Sequence, residues 1–214
     1  MLLQLALDAP FTERDIPRIA EAAPFLDIIE IGTPCVYAMG MEAVRMLRKA
    51  LPDAVLLADF KIADAGAYEA QIALDAGSDI VTVLASASDA TILGAVNAAH
   101  DAKKRVSADL MGVSDPIARA AQLEDMGVDI LCAHTGLDMQ EKEGAPFALC
   151  KSLLSQRRHA QIAVAGGITV KTIGMLCDIP VDICIVGNGI TQCESLKDGA
   201  LAILREYDAM KNDF

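Results

Sequence analysis

Aromatic residues are scarce in this chain: tryptophan is absent, and aromatics make up only 4% of the sequence. A hydrophobic content of 53% must therefore be packed from Ala, Val, Ile and Leu, which suit parallel strands buried on both faces. A stripe of Lys and Arg is also missing. With 18 basic against 30 acidic residues and a formal charge of −12, the chain cannot neutralise a run of phosphates, which excludes a nucleic-acid partner. The same acidity means that an anionic substrate needs local attraction from a metal ion, a lysine or aimed backbone amides.

Other absences narrow the class. None of the six cysteines (Cys35, Cys132, Cys150, Cys177, Cys184 and Cys193) belongs to a C-x-x-C pair. Cys132 and Cys184 fall inside apolar, strand-like runs, so free thiols in a reducing cytoplasm are expected rather than a disulfide framework. No apolar run is long enough to span a bilayer, and the first residues meet Asp8 without a basic region before it, unlike a signal peptide. A cytoplasmic protein with no membrane partner follows. No linker or low-complexity stretch interrupts the 214 residues, so a single domain over 1–214 is expected.

What is present is a repeat. Asp75-Ala76-Gly77-Ser78-Asp79-Ile80 is echoed by Asp125-Met126-Gly127-Val128-Asp129-Ile130 and by Asp178-Ile179-Pro180-Val181-Asp182-Ile183. Pro24-Phe25-Leu26-Asp27-Ile28 resembles their second half. The four Asp-Ile pairs recur about every fifty residues, the mark of a repeated supersecondary unit. In the first three a Gly or Pro closes a helix, and Asp-Ile opens a strand.

A second series lies between them: apolar runs 3–7, 55–58, 106–108 and 162–165 end at Asp8, Asp59, Asp109 and Gly166. Interleaving the two series yields the eight strands of an α/β fold, a (β/α)8 TIM barrel. Amphipathic stretches 41–50, 67–75, 90–101, 116–126 and 147–154 fill the gaps as helices. Ser88 or Asp89, and Ser114 or Asp115, stand as N-caps. An open doubly wound sheet would require an early G-x-G-x-x-G, and Asp8-Ala9-Pro10 stands there instead.

In such a barrel the active site gathers at the carboxyl ends of the strands. Read in order, those ends carry Asp8, Glu30, Asp59 with Lys61, Asp109, His134, Gly166-Gly167 and Gly187-Asn188-Gly189. One acid at a strand end is commonly a helix cap; four acids converging with a lysine and a histidine point to chemistry. Asp59 and Lys61, two apart on an extended strand, are expected to point the same way, with Asp64 on the loop beyond. Glu30 and Asp59 offer hard oxygens that suit Mg2+, and His134 suits proton transfer. His100 and His159, in a helix tail and a loop, receive no role. The glycine turns after strands seven and eight match the common phosphate-binding position of this fold.

Asp59-Phe60-Lys61-Ile62-Ala63-Asp64 matches the D-x-K-x-x-D motif, and on it the chain resembles the orotidine 5′-phosphate decarboxylase superfamily. Within it the likeness to the 3-hexulose-6-phosphate synthases runs over nearly the whole length. It includes Leu5-Ala6-Leu7-Asp8, Glu30-Ile31-Gly32-Thr33-Pro34, Asp109-Leu110-Met111-Gly112-Val113 and His134-Thr135-Gly136-Leu137-Asp138. The resemblance implies a Mg2+-dependent aldol joining of a small aldehyde, formaldehyde, to ribulose 5-phosphate. Glu30 and Asp59 would hold the metal, and Lys61 would support enediolate oxygens. His134 with Asp109 would move protons, Asp8 would orient substrate hydroxyls, and Gly166, Gly167, Gly187 and Asn188 would bind substrate. Asp64 would serve the neighbouring subunit's site in a homodimer.

Related keto-gulonate phosphate decarboxylases carry arginines after the strand-six histidine and the strand-eight glycine. Here Thr135-Gly136-Leu137 and Asn188-Gly189 stand in those places, favouring the synthase over the decarboxylase. Asn188 departs from the glycine-richer synthase pattern. Two further alternatives are a Schiff-base aldolase using Lys61 and a non-catalytic sugar-phosphate sensor. Flanking acids would keep Lys61 protonated and poorly nucleophilic, which argues against the first. Every catalytic group the motif requires is present, which argues against the second.

Overall fold

The computed structural model describes residues 1–212. Its strands are β1 (Leu2–Leu7), β2 (Ile28–Ile31), β3 (Leu56–Ile62), β4 (Ile80–Leu84), β5 (Arg105–Asp109), β6 (Ile130–His134), β7 (Gln161–Ala165) and β8 (Ile183–Val186). They pair in parallel in sequence order, and β1 closes on β8 through Leu2↔Ile183 to Leu5↔Val186. The expected eight-stranded barrel is thus observed, and the open sheet is excluded.

Strand alternation divides the apolar residues between two cores. Leu3, Leu5, Leu7, Ile29, Ile31, Val81, Val83, Ile162 and Val164 pack outward under the helices in one large cluster. Ile28, Leu57, Ile80, Ile130, Cys132 and Ile183 form a smaller cluster inside the barrel. Each fully buried Leu or Ile contributes about 2 kcal/mol, so the outer cluster carries most of the stability.

The helices lie close to their expected bounds: Glu42–Ala50, Gly66–Asp75, Asp89–Asp101, Pro116–Asp125 and Phe147–Gln156. Of the paired cap candidates, Ser88 and Asp115 do the capping. Each accepts a backbone N–H at 3.1 Å, from Thr91 and Ala118. All six cysteines are free, with Cys177 and Cys193 half-buried and the other four buried. No helix among the described residues is long and apolar enough to cross a membrane.

The sequence repeat has a mechanical meaning. Asp27, Asp79, Asp129 and Asp182 each turn a carboxylate onto a backbone N–H at the start of the preceding strand. The donors are Leu3 (2.8 Å), Leu56 (2.9 Å), Val106 (2.8 Å) and Ile162 (2.7 Å). The Asp of each Asp-Ile pair is therefore a clamp between neighbouring strands at the amino-terminal end of the barrel. Basic partners stand over three of them: Arg48 and Lys104 at Asp79, His100 at Asp129 and Arg157 at Asp182. His100, given no role from sequence, thus has a structural one.

Candidate active site

Glu30 and Asp109 project from regular strand ends at the opposite mouth. Asp59 and Lys61 do not. β3 stays in step with β4 as far as Ala58↔Val81, then pairs again only at Ile62↔Val83, four residues on for two on its partner. The extra residues form a bulge, and Lys61 sits in it with a left-handed φ of 48°. The expectation that extended geometry aligns Asp59 with Lys61 is corrected here. The two side chains do meet, but the bulge brings them together.

Lys61 Nζ donates to Asp59 Oδ2 at 2.7 Å and lies 3.2 Å from Asp109 Oδ2. The second carboxylate beside the lysine is therefore Asp109 and not Asp64 of the same chain. Asp64 is exposed, and among the described residues its Oδ1 accepts only the amide of the next residue, Ala65, at 2.8 Å. Burial opposes the charge on Lys61, but Asp59 and Asp109 outweigh it and hold the ammonium above its ordinary pKa. At neutral pH this nitrogen is an electrostatic partner and not a nucleophile.

His134, at the end of β6, places Nδ1 2.8 Å from Asp109 Oδ2. Asp109 is only 4% exposed, and its other oxygen accepts the Met111 N–H at 2.9 Å. Burial works against ionisation of Asp109, but His134, Lys61 and the Met111 amide outweigh it and lower its pKa. A charged acceptor at Nδ1 fixes the imidazole as the Nδ1–H tautomer and leaves Nε2 as the atom free to exchange a proton.

Glu30 and Asp59, 8% and 5% exposed, stand on adjacent strands. Burial, reinforced by the Asp59 charge, raises the Glu30 pKa well above the ordinary carboxylate range. Gln4 Nε2 donates to Glu30 Oε2 at 2.6 Å. The other Glu30 oxygen accepts no hydrogen bond among the described residues and is not fully enclosed, so it opens to the mouth. Two crowded acids, one with a free oxygen, fit a divalent cation. No group of three ligating side chains exists among the described residues, but Mg2+ needs only one or two carboxylates beside water and substrate oxygens.

Asp8, Gly166, Gly167, Gly187 and Asn188 occupy one side of the rim. Gly166 turns at φ 92°, and a Cβ there would lie 2.2 Å from the Thr135 carbonyl oxygen, so no other residue fits. The loops after β7 and β8 adjoin, since a Cβ on Gly189 would lie 2.6 Å from the Ile168 oxygen. Asp8 stands beside Gly187 and Gly32. Burial, with the Asp59 charge behind it, raises the Asp8 pKa.

Three residues escaped the sequence reading. Gln4 holds Glu30. Thr33 Oγ1 donates to Asp59 Oδ2 at 2.6 Å, and Thr82 Oγ1 donates to Asp59 Oδ1 at 2.7 Å. The available signal was a polar residue inside an otherwise apolar strand, as Gln4 is in β1 and Thr82 in β4.

A family model described as orotidine 5′-phosphate decarboxylase / HUMPS family matches residues 1–203. The chain belongs to that family. Among curated members of the family, 3-hexulose-6-phosphate synthase of Bacillus subtilis is 41% identical over 191 residues, covering 89% of this chain and 91% of its own. The crystal structure of 3-hexulose-6-phosphate synthase from Salmonella typhimurium superposes with a TM-score of 0.92 at 37% identity, over 98% of this chain and 100% of that one. A 3-keto-L-gulonate-6-phosphate decarboxylase from Vibrio cholerae is more distant, at 26% identity and a TM-score of 0.83 over 98% of each chain.

Proposed function

We propose that this chain acts as a 3-hexulose-6-phosphate synthase, condensing formaldehyde with D-ribulose 5-phosphate. The observation that carries the reading is the Asp59–Lys61–Asp109–His134 chain of contacts. It puts a permanent ammonium and a poised imidazole at one mouth. The lack of arginine in Thr135-Gly136-Leu137 and at Asn188-Gly189 supports the synthase over the decarboxylase.

Asp8 orients the sugar hydroxyls, and the backbone of Gly166, Gly167, Gly187 and Asn188 receives the phosphate. His134 Nε2 removes a proton from C1 of the bound ketose. The negative charge that develops on the enediolate oxygens meets Lys61, whose position is set before reaction by Asp59 and Asp109. The C1 carbanion then attacks the formaldehyde carbon, and the new alkoxide recovers the proton from His134. Glu30 and Asp59 are the residues that would hold Mg2+, which when bound supplies Lewis-acid stabilisation of the same charge. Asp64, exposed and unengaged by its own side of the mouth, is offered to the site of a second copy, making the working unit a homodimer in the cytoplasm.

A paired assay tests this. Turnover of ribulose 5-phosphate with formaldehyde, dependent on Mg2+ and far exceeding CO2 release from 3-keto-L-gulonate 6-phosphate, is expected. The reverse preference would assign the decarboxylase. Inactivation by borohydride in the presence of substrate would revive the Schiff-base route.

A further inference from the structure

The bulge in β3 creates a problem that the barrel solves with a side chain. A residue in the left-handed region at a break in the ladder has no strand carbonyl opposite its N–H, yet a half-buried amide needs a partner. Lys61 N–H donates instead to Thr82 Oγ1 at 2.8 Å. Thr82 comes from the facing strand and is only 6% exposed. A hydroxyl has a single hydrogen to give. With its lone pair receiving the Lys61 amide, its hydrogen points to Asp59 Oδ1, 2.7 Å away. One buried hydroxyl thus joins the backbone that aims the lysine to the carboxylate that pairs with its ammonium.

We propose that Thr82 is a positioning residue for the condensation: a latch that holds the Lys61 bulge and the Asp59 carboxylate in one fixed relation. Valine at this position keeps the shape and removes both hydrogen bonds. The bulge then has no anchor on β4, and Asp59 keeps Thr33 and the lysine itself but can rotate with them. Lys61 and Asp59 act on charge that develops in the transition state, so the loss falls on kcat more than on KM. This inference rests on the synthase reading above, and its test separates the two.

The test compares the parent chain with Thr82→Val and Thr82→Ser. With Thr82→Val, kcat is expected to fall about 10- to 100-fold, with KM for ribulose 5-phosphate changing far less. Thr82→Ser restores kcat to within about threefold of the parent. Hydrogen exchange at the Lys61 amide, followed by NMR in the absence of substrate, accelerates at least about tenfold in Thr82→Val and returns to the parent rate in Thr82→Ser. A Thr82→Val chain that keeps the parent kcat or the parent Lys61 exchange rate overturns the latch. So does a Thr82→Ser chain as slow as Thr82→Val, or a loss confined to KM. If Thr82→Val fails to fold, Thr82→Ala against Thr82→Ser is judged by the same criteria. If the parent chain turns over no ribulose 5-phosphate with formaldehyde, the synthase reading fails, and the Lys61 exchange rates still decide the latch.

Discussion

The two ends of this barrel use acidic residues in opposite ways. At the amino-terminal end Asp27, Asp79, Asp129 and Asp182 each accept a backbone N–H from the neighbouring strand, and three have a basic side chain at hand. At the mouth Asp8, Glu30, Asp59 and Asp109 crowd around a single lysine, and burial and mutual repulsion raise the pKa of Asp8 and Glu30. The first set spends its charge on holding the strands in register. In the second, Asp8 and Glu30 are kept in an unfavourable state that a cation or a developing charge can relieve, which is the usual condition of a reaction centre, whereas Asp109 is held by His134 and Lys61. Residue type alone does not separate a clamp from a catalyst; the partners do.

This contrast can be broken by mutation. The largest effect is expected at Lys61. Lys61→Met should lower kcat/KM about a thousandfold while the melting temperature moves by no more than about 5 °C. Steady-state kinetics beside calorimetry checks both, and a large loss of stability with modest kinetic change would make Lys61 a clamp as well.

Asp64 sharpens the comparison across subunits. Asp64→Ala and Lys61→Met should each be nearly inactive alone. Mixed and refolded in equal amounts, they should recover about a quarter of the parent activity, because half of the random dimers then carry one intact site. No recovery would place Asp64 in its own chain's chemistry.

At the opposite end, Asp79→Ala strands the Leu56 amide and takes from Arg48 and Lys104 the carboxylate they share, although Arg48 keeps its backbone carbonyl partners. It should cost about 2–3 kcal/mol, seen as a fall in melting temperature, with kcat/KM unchanged at 25 °C.

The smallest effect concerns acid. Glu124, 3% exposed, accepts the N–H groups of Arg158, His159 and Ala160. Burial opposes its ionisation, but these donors and the Arg158 side chain outweigh it and lower its pKa from 4.5 to about 2. Its folded-state pKa is depressed, so its stabilisation is complete above about pH 4.5 and lost as pH falls toward 2. Glu124→Gln should therefore be less stable by about 1–3 kcal/mol at neutral pH, and the difference should shrink across that window in denaturation curves.

Most of the barrel was legible because its repeat is written in side chains: an Asp before each even strand is the visible part of a backbone clamp. Glu30, Asp109 and His134 were equally legible, since a regular strand projects its last residues predictably into the mouth. The β3 bulge was not. Nothing in Asp59-Phe60-Lys61 announces a left-handed lysine, because the conformation is imposed by the register of β4 and the hydroxyl of Thr82. Gln4 and Thr82 looked like stray polar residues until the closed barrel brought Glu30 and Asp59 against them. The second carboxylate beside Lys61 was hidden for the same reason: Asp109 is far from it in sequence and near in space.

The account turns on proton removal from C1 by a mouth built around Lys61 and His134, and this can be watched without any aldehyde. Ribulose 5-phosphate incubated in D2O with the parent chain and Mg2+ should lose one C1 proton signal by NMR. His134→Asn should leave that signal intact. A parent chain that condenses formaldehyde yet never exchanges C1, or a His134→Asn chain that exchanges it at the parent rate, would contradict the account.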